Sequence, residues 1–445
     1  MVILDTTIIT TSLPTMAAGF GVSVVDFSIG VSAYLLAIAA FVPPSGWLAD
    51  RFGARRIFLF SIILFSFASI LCAQSESLET FIFARVLQGV GGALMTPVGR
   101  LMILQLTSKN EISRAMTILT WPAMSAPVLG PVLGGFITTY FGWRWNFYIN
   151  LPFGLLVFIL ALRYIPVLPK GERRPFDFLG FFLCGGAVIG VLYGLESFAH
   201  GWSSTVLSSA LLLSGCVFSY LSIKHLQSAK SPLFTLGPIS IKTFSLATYR
   251  AGTFVRVGLT ATPFVLPLFL QVSFDLTPLE AGGYVMVYFV GNLVTKTVSP
   301  QILAKYGFRK LLMANGTLCS ISIALMAVVL PLQNELTLVL LFVSGVFRSL
   351  QFASVNSLTF ADIEGPARSS AATLSTLSMH ISSALAVALS VVVLHASRVI
   401  NHRTDLALLD FQLTMFALAI LVAVMSLRFF KLSPSDGLAV SAYHK

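Results

Sequence analysis

Few residues that could do chemistry stand inside the apolar runs of this sequence: Asp5, Arg85, Arg256, Arg348 and His380 are the deepest. A charged side chain at the centre of a bilayer costs about 2.5–3.5 kcal/mol on insertion scales, so it persists where it is paired, protonated or used. For any carboxylate, burial favours the neutral form and a nearby cation favours the charged form. A group balanced between the two can load and release a proton, which is the chemistry Asp5 could perform. Arg85 is the natural counter-charge, and the plainer alternative is a structural ion pair. His380 is a second group able to titrate near neutrality, although a lone histidine on a helix face more often packs or hydrogen-bonds.

The elements that must position these groups are membrane spans. The chain has 445 residues, 56% hydrophobic and only 10% charged, with mean hydropathy +0.89; a soluble domain carries about 25% charged residues. Bases exceed acids, 28 to 17, yet they sit in short loops, which excludes a nucleic-acid partner and leaves the lipid bilayer. Taking about 20 apolar residues per span, fourteen spans fall at about 1–18, 28–49, 57–74, 79–104, 114–140, 145–165, 177–198, 204–223, 243–272, 279–302, 310–331, 336–360, 369–396 and 408–430. Gaps after even-numbered spans hold most of the bases, among them Arg51, Arg55, Arg56, Lys109, Arg114, Lys170, Arg173 and Arg174; those after odd-numbered spans hold Arg144, Arg398 and Arg403. Positive charge stays in the cytoplasm, so both termini are expected there, in a multi-pass protein of the bacterial inner membrane.

The segments SGWLADRFGARRIFL (Ser45–Leu59) and SPQILAKYGFRKLLM (Ser299–Met313) align Gly53 with Gly307 and match Arg51, Arg55 and Arg56 with Lys305, Arg309 and Lys310. Such weak symmetry is expected of two six-span repeats. It divides the chain into a six-span half over 1–165, two inserted spans with loops over 166–242, a second half over 243–432 and a cytoplasmic tail over 433–445. Span 1 has barely 18 residues before Gly19–Gly21, which reads as a helix short of its first turns or a misplaced Met1. Cys72, Cys184, Cys216 and Cys319 fall within spans, without metal-ligand spacing, as small apolar fillers.

Several segments in order resemble the fourteen-span drug:proton antiporters of the major facilitator superfamily, the EmrB/QacA-like and MdtD-like branch. They are LDTTIITTSLP (Leu4–Pro14), GWLADRFGARR (Gly46–Arg56), RVLQGVGGALMTPVGR (Arg85–Arg100), GPVLGG (Gly130–Gly135) and WRWNFYINLPFG (Trp143–Gly154). The resemblance implies an all-α membrane protein of the major facilitator fold, two six-helix repeats plus two inserted helices. It also implies export of small amphipathic compounds driven by a proton gradient, with no cofactor and no metal. It expects a monomer, open to association with an efflux-system accessory protein. By the same resemblance Asp5 and Arg85 serve proton coupling, and Asp5, Arg85 and Gln88 line a central cavity; His380, as a titratable group, is the reserve candidate for coupling. Gly46, Asp50, Arg51, Gly53, Arg55 and Arg56 form a conformational latch, for which the residues give physical reasons: Gly46 lets helices approach, and Asp50 can bond nearby arginines. Pro127, Gly130, Pro131, Gly134 and Gly135 form the antiporter motif. Gly130 and Gly134 share one face at the spacing that admits a close neighbouring helix, and the prolines bend it.

Arg256, Arg348, Asn292, Gln351, Asn356 and Trp121 are further cavity candidates, whereas Lys296 and Glu196 stand near span ends, where long side chains snorkel to the interface. Deep bases outnumber deep acids, which favours neutral, zwitterionic or anionic amphiphiles over quaternary ammonium compounds as substrates. No nucleotide-binding, zinc-hydrolase or nucleophile-elbow motif is present, so an enzyme is not expected. A dedicated exporter of a sugar, siderophore or organic acid, or a transport-inactive protein, remains as the alternative.

Overall fold

The structure is a computed structural model that describes the chain apart from residues 108–111, 168–174, 200–204, 296–297, 333–334, 365–366, 404, 434–435 and 438–445; over 104–105, 112–124 and 369 only the backbone is described. Its long helices follow the apolar runs. In the first unit the helices, long and short, are α1 (Val2–Thr10), α2 (Leu13–Gly19), α3 (Val24–Phe27), α4 (Ile29–Phe41), α5 (Ser45–Phe52), α6 (Ala54–Gln74) and α7 (Leu78–Leu106). There follow α8 (Ile112–Tyr140), α9 (Trp145–Tyr148), α10 (Asn150–Tyr164), α11 (Phe178–Glu196) and α12 (Thr205–Ser228). The second unit has α13 (Lys242–Ser245), α14 (Gly252–Phe274), α15 (Pro278–Thr295), α16 (Ser299–Val329), α17 (Glu335–Phe360), α18 (Ala367–Ile400) and α19 (Leu408–Leu427). Among the described residues eleven helices are long and apolar enough to cross a bilayer, and α1, α8 and α15 occupy the places of spans 1, 5 and 10. Among the described residues there is no strand.

The chain divides into two compact units between Phe234 and Thr235, so α11 and α12 fold with the first. Each unit uses one pairing scheme. In the first, α1 packs on α8, α4 on α7, and α6 on both α7 and α10; in the second, α14 packs on α18, α15 on α17, and α16 on both α17 and α19. The two loop segments also share a joint. Gly53 has φ 97° and Gly307 φ 70°, a region that a side chain disfavours, and each separates a short helical segment from the following long one. Many large apolar side chains are exposed, including Phe60, Ile63, Phe67, Phe83, Leu213 and Val217. An apolar surface on that scale is the signature of lipid contact.

Two bases that interrupt the charge alternation have local partners. The Arg144 guanidinium lies 4.5 Å from the Trp143 ring centre, and Arg403 reaches the Asp410 carboxylate at 3.6 Å.

The glycines of the antiporter motif pack as their spacing predicts, and their neighbour is α1. A Cβ at Gly130 would run into the Thr7 side chain, and one at Gly134 into the Ile8 carbonyl. Gly46 departs from expectation: it is exposed, and among the described residues no atom lies within 4 Å of where its Cβ would stand. Among the described residues of its own unit, the close approach read from Gly46 is not present. Gly134→Ala is therefore expected to cost about 1–3 kcal/mol through overpacking and to lower the Tm of the purified protein in detergent, whereas Gly46→Ala leaves Tm unchanged.

Candidate functional site

Asp5 lies in the first turn of α1, which breaks at Thr11–Ser12, where Pro14 enters the first turn of α2, a position at which no backbone donor is needed. The carboxylate is 1% exposed, and four helices supply its partners directly or through one bond. Arg85 Nη1 on α7 donates to Oδ2 at 2.9 Å. Gln88 Nε2, one turn further along α7, donates to Oδ1 at 2.9 Å, and Asn150 Nδ2 on α10 donates to the same oxygen at 2.8 Å. Ser69 Oγ on α6 accepts from Gln88 at 2.9 Å and from Asn150 at 3.3 Å. Arg85 also donates Nε to the Gly30 carbonyl at 3.2 Å, bonds Gln88 Oε1 and lies 4.1 Å from the centre of the Tyr34 ring on α4. Arg85 and Gln88 are as buried as Asp5.

The arrangement is a closed polar cluster in an apolar unit, the condition under which a buried charge pair is tolerable. Its carboxylate accepts three hydrogen bonds, from Arg85, Gln88 and Asn150. The predicted pair Asp5–Arg85 is thus brought together, with Gln88. Asn150 went unassigned by sequence, although it stands in WRWNFYINLPFG, and an amide at the start of an apolar span was the available signal.

A second polar knot lies on the same unit. Ser12, Thr138 and Asn146 bond one another at 2.6, 2.7 and 2.8 Å, and the rings of Phe20, Phe27, Phe81, Trp143 and Phe147 form an aromatic cluster in the same unit. Glu196, expected to snorkel, is instead 1% exposed. Ser32 of α4 and Ser28, the N-cap of α4, donate to its Oε1 at 2.8 and 3.4 Å, because α11 packs onto α4. In the loop segment, Arg51 and Arg56 are exposed, Asp50 is half-buried and Arg55 Nη2 donates to the Leu162 carbonyl at 2.6 Å. Within α8, Pro131 and Gly135 are buried and Pro127 half-buried.

The remaining candidates lie on the second unit. Arg256, 1% exposed, donates to the Ala247 carbonyl at 2.9 Å, to Asn356 Oδ1 at 3.0 Å and to Thr359 at 3.4 Å. Ala247 belongs to a π-helical turn, Leu246–Arg250, that precedes α14, so Arg256 satisfies a carbonyl displaced by that turn. Gln351 is fully buried between Asn315 Nδ2, at 3.0 Å, and the Leu312 carbonyl, at 3.1 Å. Asn292 and His380 are half-buried on α15 and α18. The Trp121 side chain and Lys296 lie outside the described residues.

Arg348, half-buried on α17, donates Nε to the Leu259 carbonyl at 2.9 Å. Its guanidinium carbon lies 5.8, 5.4 and 5.8 Å from the ring centres of Tyr288, Phe289 and Phe352.

The sequence profile of the Major Facilitator Superfamily matches residues 1–257 and 249–445. The chain belongs to the major facilitator superfamily. It is 35% identical over 394 residues to the multidrug resistance protein MdtD of Cronobacter sakazakii, covering 88% of this chain and 83% of that protein. It is 33% identical over 437 residues to MdtD of Escherichia coli O45:K1, covering 97% and 92%. A D-xylose–proton symporter superposes with a TM-score of 0.68 at 13% identity, over 98% of this chain and 96% of that one, which shows the same fold. The family and the MdtD-like relatives are those the span motifs indicated, and the chain is a multi-pass membrane transporter.

The cluster around Asp5 fixes what its loss should do. Asn150→Ala removes one hydrogen bond to a charged group, expected to cost about 1.5–3 kcal/mol. Asn150→Asp, nearly isosteric, is expected to cost more, because it replaces a donor with a second carboxylate. Thermal unfolding of the two purified variants in detergent checks the order.

Proposed function

We propose that this chain is a proton-coupled exporter of small amphipathic compounds, a secondary antiporter of the bacterial inner membrane with both termini cytoplasmic. The reading rests on one observation above the others: a carboxylate 1% exposed inside the first unit, held by Arg85, Gln88 and Asn150. In this reading Asp5 carries the proton. When it is charged, Arg85 and the two amides hold it; when it is protonated, it no longer requires the guanidinium, and Arg85 turns to Gln88, to which it is already bonded. Exposure of the cluster to one side of the membrane and then the other converts the proton gradient into substrate movement, and the transporter needs neither metal nor cofactor. The names of the MdtD relatives support drug-like substrates, and the protein acts as a monomer.

The test is proton movement in energised inverted vesicles containing a pH-sensitive dye, with a panel of amphiphiles of both charges added in turn. Dequenching is expected from the wild type and is expected to be lost in Asp5→Asn. Dequenching that survives in Asp5→Asn would move the coupling site away from this cluster, and none from the wild type with any compound would refute antiport.

A further inference from the structure

The two units share more than their pairing scheme. The interval that carries Gly53 onto Gly307 also carries Tyr34 onto Tyr288 and Asp5 onto Leu259. α7 reads Arg85-Val-Leu-Gln88, and its counterpart α17 reads Arg348-Ser-Leu-Gln351. In three dimensions the correspondence holds. Arg85 lies against the Tyr34 ring and Arg348 near the Tyr288 ring. Gln88 and Gln351 are both fully buried and bonded to a polar residue of the preceding long helix, Ser69 on α6 and Asn315 on α16. Close approach at a glycine brings each helix onto the carbonyl of the matching tyrosine, at Gly89 in one unit and Gly345 in the other.

One element of the site differs. Arg85 finds the Asp5 carboxylate, whereas Arg348 finds, at the corresponding residue, the backbone carbonyl of Leu259. The ion pairs among the described residues give Arg348 no carboxylate. Asp410, the buried acid of α19, is bonded to Ser397 and the Ala407 amide and reaches Arg403. Three aromatic rings near a guanidinium supply partial compensation, but a ring is no substitute for an anion in a medium of low dielectric. Arg256, the other deep cation, is committed to Ala247, Asn356 and Thr359 and is fully buried. Arg348 is half-buried and holds a partner through Nε, while among the described residues no hydrogen bond occupies its two terminal nitrogens.

We propose that Arg348 is the docking point for the transported molecule's own anionic group, a carboxylate borne on an aromatic body, which plays in the second unit the part that the Asp5 side chain plays in the first. The guanidinium fork takes the carboxylate through paired N–H donors, and the half-buried Phe352 takes the apolar body, while the buried rings of Tyr288 and Phe289 back the guanidinium. This rests on the reading of the protein as an exporter of small amphipathic compounds and narrows it to organic anions.

The test is binding to the purified full-length protein in detergent, without a proton gradient, so that it succeeds or fails independently of antiport. The probes are 1-naphthoate, its neutral analogue 1-naphthamide and the 1-naphthylmethylammonium ion, with thermal stabilisation as the readout. Naphthoate is expected to stabilise the wild type at concentrations at least about ten-fold lower than the other two, as loss of a charge-assisted bond implies. Arg348→Gln is expected to remove that preference and Arg348→Lys to retain part of it. Equal stabilisation by the amide, preference for the ammonium ion, no stabilisation by any probe, or a preference undiminished in Arg348→Gln would each overturn the proposal. The wild-type comparison decides even if Arg348→Gln does not fold. Loss of proton movement in vesicles alongside intact naphthoate preference would count against antiport and leave the anion site standing.

Discussion

The first unit is organised around a charge that cannot be left alone. An ionised carboxylate in an apolar surround needs an opposite charge and a full set of donors, and Asp5 draws these from α7 and α10, with α4 and α6 supporting the donors. The contact of α1 with α8 at Gly130 and Gly134 sets where that carboxylate stands. The small residues of the antiporter motif therefore act on the charge at one remove, by fixing the backbone that carries it. Removing bulk from one helix and placing charge on another are two halves of one requirement.

Duplication explains why the second unit looks as it does. The same helix pairs meet, a positive-φ glycine again ends the short segment before the long helix, and arginine and glutamine again stand one turn apart on the helix of the same rank. What the second copy lacks is the acid. A buried Arg256 answering a π-helical turn shows that a deep guanidinium can also be held by one carbonyl and neutral side chains, so not every intramembrane cation marks a ligand. The distinction between Arg256 and Arg348 lies in how many donors are already engaged.

Much of this was legible in the sequence. Hydropathy and the placement of Arg and Lys gave fourteen spans, since lipid imposes length and sidedness on every span alike. The Asp5–Arg85 pair followed from the cost of isolated charge, and the face of Gly130 and Gly134 from helical spacing. Less accessible were contacts that depend on which helix lies beside which. Glu196 looked like an interfacial residue because it ends an apolar run, yet the packing of α11 on α4 buries it against Ser28 and Ser32. Gly46 was read as a contact residue from its type, although small size permits an approach without causing one. Asn150 is an unremarkable amide until α10 is set beside α1, and the second Arg-x-Leu-Gln is visible in the letters but acquires meaning only through Tyr288 and Leu259.

The two added helices of the first unit have a mechanical consequence. α11 is bound to α4 through Glu196, and α12 is bound to α11 where Gly190 meets the Gly215 backbone and Gly194 that of Leu212. Polar ties in an apolar surround and backbone-to-backbone contacts are both stiff, so the pair forms a paddle rigidly hafted to the first unit, with Val206, Leu213, Val217 and Tyr220 turned outward. A transport cycle that tilted this unit would sweep the paddle through the acyl chains. The thickness and viscosity of the surrounding bilayer would then enter the energetics of that cycle, making lipid composition a load on the machine as well as its solvent.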